Sequence, residues 1–225
     1  TSGDIDYLEI HTEEKRIVKE YLPEYDPKII LKNALVIFKN SKLNRITELS
    51  GSIKVGDKFE SFNISEKFNY RKKSFDINGD ITLTNSKVKI SKLNYNKDIG
   101  TGASLNFDIN FVLNSYFNIQ DLKYSTGPTE INLSNIKLNK NFELIDFEEG
   151  RIKTFNELFK NNDFSINNSK KIIILGEVFD AQPLLKSLYK KDGKNTFSKD
   201  FFSKIKINFD KVLSGTNDDI SNFAM

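Results

Sequence analysis

His11 is the only histidine among 225 residues, and there is no cysteine. Thiolate metal sites and disulfides are therefore excluded, and the usual nucleophile–base pairs cannot be assembled. A lone His in a polar stretch is far more often incidental than catalytic. Asp76-Ile77-Asn78-Gly79-Asp80 opens like a calcium loop, D-x-N-x-D. The pattern then fails, with Ile81 where the loop needs Gly and Lys87 where it needs a bidentate Glu. Gly100-Thr101-Gly102-Ala103-Ser104 has the look of a phosphate cradle. It lacks the third Gly of a dinucleotide motif, the Gly-Lys pair of a P-loop and the second flanking Gly of a nucleophile elbow, and strand-forming residues follow it. Glu148-Glu149 and Asp218-Asp219 are adjacent carboxylates with no apolar pocket in view to separate their proton affinities. All four groups read as strand or turn residues, so no catalytic residue, metal or cofactor is expected.

The elements that carry these residues are clearer than any chemistry. Phe75, Ile77, Gly79, Ile81 and Leu83 alternate with polar residues, and Leu105, Phe107, Ile109, Phe111 and Leu113 stand against Asn106, Asp108, Asn110 and Asn114. Period two places one oily and one wet face on each ribbon. Weaker strands are predicted around Val88–Ile90, Phe117–Ile119, Ile131–Leu133, Ile136–Leu138 and Phe142–Leu144. The apolar phase slips by one between Ile90 and Leu93 and between Leu133 and Ile136, which signals a bulge or a short turn. The stretch 151–160 fits a helix or a frayed strand. Ile172-Ile173-Ile174-Leu175 is a continuous apolar strand ending at Gly176. Asp180 then caps a short helix with Pro183 in its first turn, an apolar stripe of Leu184, Leu185 and Leu188, and a stop at Asp192-Gly193. Ile205, Ile207 and Phe209 give a last strand.

The N-terminal stretch differs. Thr12 suits an N-cap, and Ile17, Val18, Tyr21 and Leu22 follow at helical spacing up to Pro23. Asp26-Pro27 invites a second helix through Ile30, Ala34 and Phe38, although Leu35-Val36-Ile37-Phe38 also suits a strand. The expected organisation is a helical or irregular entry over 1–45, a β domain over 46–215 and a frayed tail over 216–225. The expected class is mainly β: a long antiparallel meander forming a curved, groove-like sheet, with one short helix at about 180–190 and a helical N-terminal stretch.

Bulk properties narrow the partners. Thirty-four basic and 31 acidic residues leave a net charge of +3, with the signs interleaved. The longest basic run, Arg71-Lys72-Lys73, is short, so neither nucleic acid nor a polybasic attraction to anionic headgroups is expected. No run approaches the ~20 apolar residues of a membrane-spanning helix. No signal peptide is visible, and the chain begins at Thr1 without a Met, so it reads as a segment with any anchor outside it.

From Gly176 the residues run Gly-Glu-Val-Phe-Asp-Ala-Gln-Pro-Leu-Leu-Lys-Ser-Leu. This resembles the G-x-x-(F/L)-D-(A/L)-x-x-L-(L/I)-x-x-L segment of AsmA-like envelope proteins, including the YhdP-type members. Gly176, Phe179, Asp180, Leu184, Leu185 and Leu188 carry it. Ile205-Lys206-Ile207-Asn208-Phe209-Asp210-Lys211-Val212 is similar to that family's next strand. Ile90–Tyr95 and Leu133–Leu138 are similar to its short strand repeats.

The resemblance implies a non-catalytic segment of an inner-membrane-anchored periplasmic protein of a Gram-negative bacterium. Such a segment would shield phospholipid acyl chains for inter-membrane transport and outer-membrane integrity. Phe75, Ile77, Ile81, Leu83, Leu105, Phe107, Ile109 and Phe111 would line its lipid-binding wall, each buried methylene being worth about 0.8 kcal/mol. The alternative is a structural β-sandwich module that binds a protein partner and no lipid. A carbohydrate-active enzyme is disfavoured by the absence of Trp.

Overall fold

A computed structural model of the chain describes residues 1–12, 16–54, 56–113, 115–156, 159–169, 171–189, 205–215 and 219–225. Most of them belong to one large sheet. Its first strands are β1 (Ser2–His11), β2 (Lys28–Asn40), β3 (Asn44–Lys54), β4 (Phe59–Asn69) and β5 (Ser74–Thr82). A small hairpin of β6 (Val88–Ile90) and β7 (Tyr95–Lys97) interrupts them, joined by a 3₁₀ turn at Ser91–Leu93. The sheet resumes with β8 (Ser104–Val112), β9 (Phe117–Thr126), β10 (Thr129–Leu138), the short β11 (Leu144–Asp146), β12 (Glu149–Asn156), β13 (Phe159–Asn168) and β14 (Ile172–Asp180). It ends with β15 (Ile205–Leu213) and β16 (Ile220–Ala224). Helices α1 (Arg16–Tyr21) and α2 (Gln182–Tyr189) lie in the connections.

Spatial order follows chain order from β1 to β16, apart from the separate β6–β7 hairpin and β11, which pairs with the end of β10. The pairings are antiparallel except β14 with β15. Antiparallel neighbours need only tight turns, whereas a parallel pair needs a crossover, and α2 opens that crossover. The sheet is not closed: among the described residues β1 and β16 each have one strand neighbour.

The mainly β expectation holds, but the helical N-terminal stretch is corrected. Residues 2–11 and 28–40 are sheet strands, and α1 is a helix of six residues ending before Pro23. The Thr12 hydroxyl donates to Pro27 O at 2.8 Å, fastening the end of the β1–β2 hairpin, and residues 13–15, which it was expected to cap, lie outside the described residues. Asp26 accepts from Lys28 N at 2.8 Å, a local turn that starts a strand and not a second helix. The β-branched Ile29, Ile30, Val36 and Ile37 outweigh the i, i+4 pattern once β1 and β3 are available on either side. The expected strand-or-helix at 151–160 is strand in its described part, and residues 220–224 of the expected tail pair with β15.

Both sequence phase slips have structural causes. The first is the 3₁₀ turn at Ser91–Leu93. The second is a bulge: Asn135 takes a left-handed φ of 50°, and on β9 Gln120 is the extra residue between the pairs Asp108–Asp121 and Ile109–Ile119. Gly176 pairs with Phe164, where a Cβ would run into Asp163 O and Phe164 Cβ. Only glycine permits that close approach between β13 and β14.

A cap lies over part of one sheet face. The β6–β7 hairpin, Leu22 after α1 and Ala181 before α2 pack with Leu83, Tyr124, Ile131, Ile152, Phe164 and Phe209 into the main apolar cluster. A polar knot fixes the cap. Asn162, fully buried, donates to Leu93 O at 2.8 Å and to Thr154 Oγ1 at 2.9 Å, and accepts from Asp180 N at 3.0 Å. Asp180 accepts from Asn94 Nδ2 at 2.8 Å and from Gln182 N at 3.0 Å, capping α2 as expected. A second, smaller cluster of Leu31, Ala34 and Phe62 lies under β2–β4.

Candidate functional site

Directly paired residues in adjacent strands point to the same side of a sheet, so register reads as rows. One row runs Val36, Leu49, Ile64, Gly79, Phe107, Leu122, Leu133, Gly150, Ile166, Ile174, Ile207. It crosses eleven consecutive strands from β2 to β15 without a polar residue. At about 4.8 Å per strand it extends on the order of 50 Å. Apart from Gly150, every member is only half-buried.

Two further apolar rows lie on the same face, away from the cap. Ile77, Ile109, Ile119 and Ile136 are paired in sequence across β5, β8, β9 and β10. Beyond them Phe68, Phe75, Phe111 and Phe117 meet ring to ring at 4.5, 4.7 and 5.0 Å. Tyr70 joins this ladder at 5.3 Å from Phe68, and Phe142 at 4.8 Å from Phe117. Arg45 lies over the Phe68 ring at 5.6 Å and pairs with Glu66 at 2.6 Å.

The opposite face is wet. The row beside the long apolar one reads Asn63, Asp80, Asn106, Lys123, Asn132, Arg151 and Ser165 before reaching Leu175. Asp76 and Asp80 lie on this face and accept from the Asn110 and Asn63 amides. They stand apart along an extended strand and do not converge on one point, so the calcium-like motif forms no loop. Arg151 and Lys160 both reach Asp163. Burial pushes that carboxyl up, but the two cations outweigh it and hold it below its ordinary range.

The eight residues expected to line a wall all lie on the apolar face, in different settings. Phe75, Ile77, Phe107, Ile109 and Phe111 belong to the uncovered rows. Ile81 and Leu105 are half-buried against the capped cluster, and Leu83 is buried within it. Uncovered residues outside that set include Ile119, Leu122 and Ile136, whereas Ile166 and Ile174 pack against the capped cluster as Ile81 and Leu105 do. Their alternation is visible in the sequence but broken by the bulges. Between β10 and β15 this face holds a hollow of about 530 Å³, lined by Leu133, Ile136, Leu144, Phe147, Ile166 and Ile174 among others.

The motif residues of 176–188 lie in β14 and α2. Phe179 stacks on Phe209 at 5.2 Å and meets Phe164 edge-on at 5.7 Å. Leu184 and Leu185 are exposed, so the expected stripe of α2 does not enter the cluster at these positions. Leu188 lies in α2, with its side chain outside the described set, as are Asp192-Gly193 and Asp218.

A larger cleft of about 930 Å³ opens at the capped end, beside Glu24, Lys97, Asp98 and Thr129. Its most unusual group is Lys97, buried, with its basicity lowered by that burial. The ammonium donates to the carbonyls of Leu83, Thr84 and Ser86 and so pins a loop. With its protons committed it is a structural cation. His11 is exposed at the end of β1, 3.0 Å from Glu9. Glu9 also binds Lys28 and Tyr7, and Lys28 foremost holds its carboxyl at about 2. Among the described residues no three His, Asp or Glu side chains converge as a metal site, and no helix is long and apolar enough to cross a membrane.

The chain matches no protein-family profile, no curated protein and no solved structure.

Proposed function

We propose that the chain is a non-catalytic segment of an envelope protein of the AsmA-like kind, whose sheet curves into a groove that shields phospholipid acyl chains. The observation that carries this reading is the eleven-strand apolar row, half-buried at every position but Gly150 and flanked by the isoleucine and phenylalanine rows. A closed core would bury such side chains against a second layer. Here the second sheet consists of two strands of three residues each, and it covers only the capped end. Acyl chains laid along the row recover the hydrophobic free energy that the bare surface forgoes. In this reading the segment belongs to an inner-membrane-anchored protein working in the periplasm in lipid transport between membranes, and it needs no reacting group.

Face-specific photo-crosslinking tests the proposal. A photoreactive residue at Ile109 captures phospholipid in cells, whereas one at Asn106, on the wet face, captures none. Extraction of the purified protein followed by mass spectrometry recovers the same lipid. Equal capture from both faces, or no lipid from either experiment, overturns the reading.

A second reading, a structural module that binds a protein partner and no lipid, is favoured by the outer edge of β1. That edge leaves a ten-residue strand with one neighbour, open to β-augmentation and guarded by Asp4, Asp6 and Glu9. A defined partner whose binding survives Phe107→Asp would decide for this reading.

A further inference from the structure

We infer that one end of the sheet, where four turns meet, is a docking surface for an anionic phospholipid bilayer. The turns are Ser41–Leu43, Tyr70–Lys73, the β8–β9 connection at Leu113, Ser115 and Tyr116, and Asn139–Glu143. Each joins neighbouring strands at the same end of the sheet, the end away from the cap. They are tied into a line. Tyr70 N donates to Leu43 O at 3.0 Å, and the Tyr70 hydroxyl to Asn40 Oδ1 at 3.1 Å. Leu113 N donates to Lys73 O at 3.1 Å, and the Phe117 and Phe142 rings stack at 4.8 Å. With two strands between successive turns, the line spans on the order of 30 Å.

Its composition fits a membrane surface from two independent sides. The first is charge. The turns carry Lys42, Arg71, Lys72, Lys73 and Lys140 against the single carboxylate Glu143. All five cations are exposed, and none forms an ion pair among the described residues. Linear sequence scatters these residues over a hundred positions, which hides a cluster that the meander assembles. The second is apolarity. Leu43, Tyr70, Leu113, Tyr116 and Phe142 are each more than two-fifths exposed beside those cations. Exposed aromatic and aliphatic tips among Lys and Arg are the residues that settle at a headgroup boundary.

Phe142 adds a backbone argument. It holds a left-handed φ of 62° in its turn, where Gly or Asn would sit without strain. A bulky aromatic in that conformation keeps more than half of its surface in solvent even with its ring stacked on Phe117. Insertion into a bilayer gives it a use. The phenylalanine ladder leads from this end onto the open apolar face.

Vesicle flotation tests docking separately from any lipid held along the sheet. The full chain is mixed with vesicles of phosphatidylcholine alone, or with vesicles in which a third of the lipid is phosphatidylglycerol. The protein floats with the anionic vesicles, not with the neutral ones, and salt weakens the binding. Neutralising Arg71, Lys72 and Lys73 together to Gln lowers partitioning about a hundredfold, at about fivefold per cation near the surface. Phe142→Asn, which relieves the backbone, lowers it about tenfold through lost apolar burial and leaves the thermal unfolding midpoint in place. Equal flotation with both vesicle types, or no loss in the triple variant, overturns the inference. So does displacement of the vesicles by duplex DNA or an acidic protein. Lipid recovery by extraction is a separate readout, so the groove and the docking surface can fail independently.

Discussion

Asp108 illustrates how a sheet with one wet face still sets constraints there. It is paired directly with Asp121 on β9, and Asp76 lies nearby on β5. Burial first, then the charges of Asp76 and Asp121, raises its carboxyl above the ordinary range. A carboxyl with a raised pKa in the folded state favours folding when protonated, so its ionised form weakens the sheet as pH rises through that value. Asp108→Asn removes the repulsion and stabilises the protein at neutral pH by up to about 1 kcal/mol. The gain shrinks as pH falls and the wild-type carboxyl takes up its proton. Urea unfolding at neutral and at acidic pH measures both effects. A variant no more stable than wild type at neutral pH would show that solvent already screens the pair.

Strand-scale order depends on a few polar side chains as well as on alternation, which explains what was legible in the sequence. β5 and β8 were legible because each has one apolar face in unbroken period two, Phe75 to Ile81 and Leu105 to Phe111. β1 was not, because an edge strand with solvent on most sides needs little apolar patterning, and Ile5 is its one half-buried aliphatic. β13 was hidden for the opposite reason: Asn161, Asn162 and Asp163 are polar yet buried, their partners lying far off in the chain at Leu93, Asn94 and Arg151. The wall was half legible, since its Phe and Ile positions were visible but the cap that closes over Leu83 was not. Asn162 is the test of that cap. Asn162→Ala strips partners from Thr154 Oγ1 and the Asp180 N–H in a dry interior and leaves Leu93 O to Asn161 alone, at a cost of about 3 kcal/mol. Amide exchange in β6, β7 and the first turn of α2 should accelerate more than in β5 and β8. Uniform acceleration across the chain would mean the knot adds stability without holding the cap in place.

At the scale of the molecule, the sheet is a long ribbon anchored unevenly. The main cluster gathers buried side chains from Leu83 to Val212 beneath the cap, whereas the second buries only Leu31, Ala34 and Phe62. Ile81 packs against both. Free energies of local opening follow buried apolar contact, so exchange should be fastest at the edges β1 and β16, slower in β2–β4 and slowest in β9–β14. The same arrangement makes Ile81 the coupling point. Ile81→Ala removes half-buried methyl groups at about 1–2 kcal/mol, below the range for fully buried aliphatics. Because the smaller cluster has less to fall back on, the loss should appear mainly as reduced amide protection in β2–β4, with β9–β14 nearly unchanged. Native-state hydrogen exchange on the two proteins measures this. An equal fall in both regions would instead describe a ribbon that opens as one cooperative unit, and the cap would then stabilise the whole length of the apolar face.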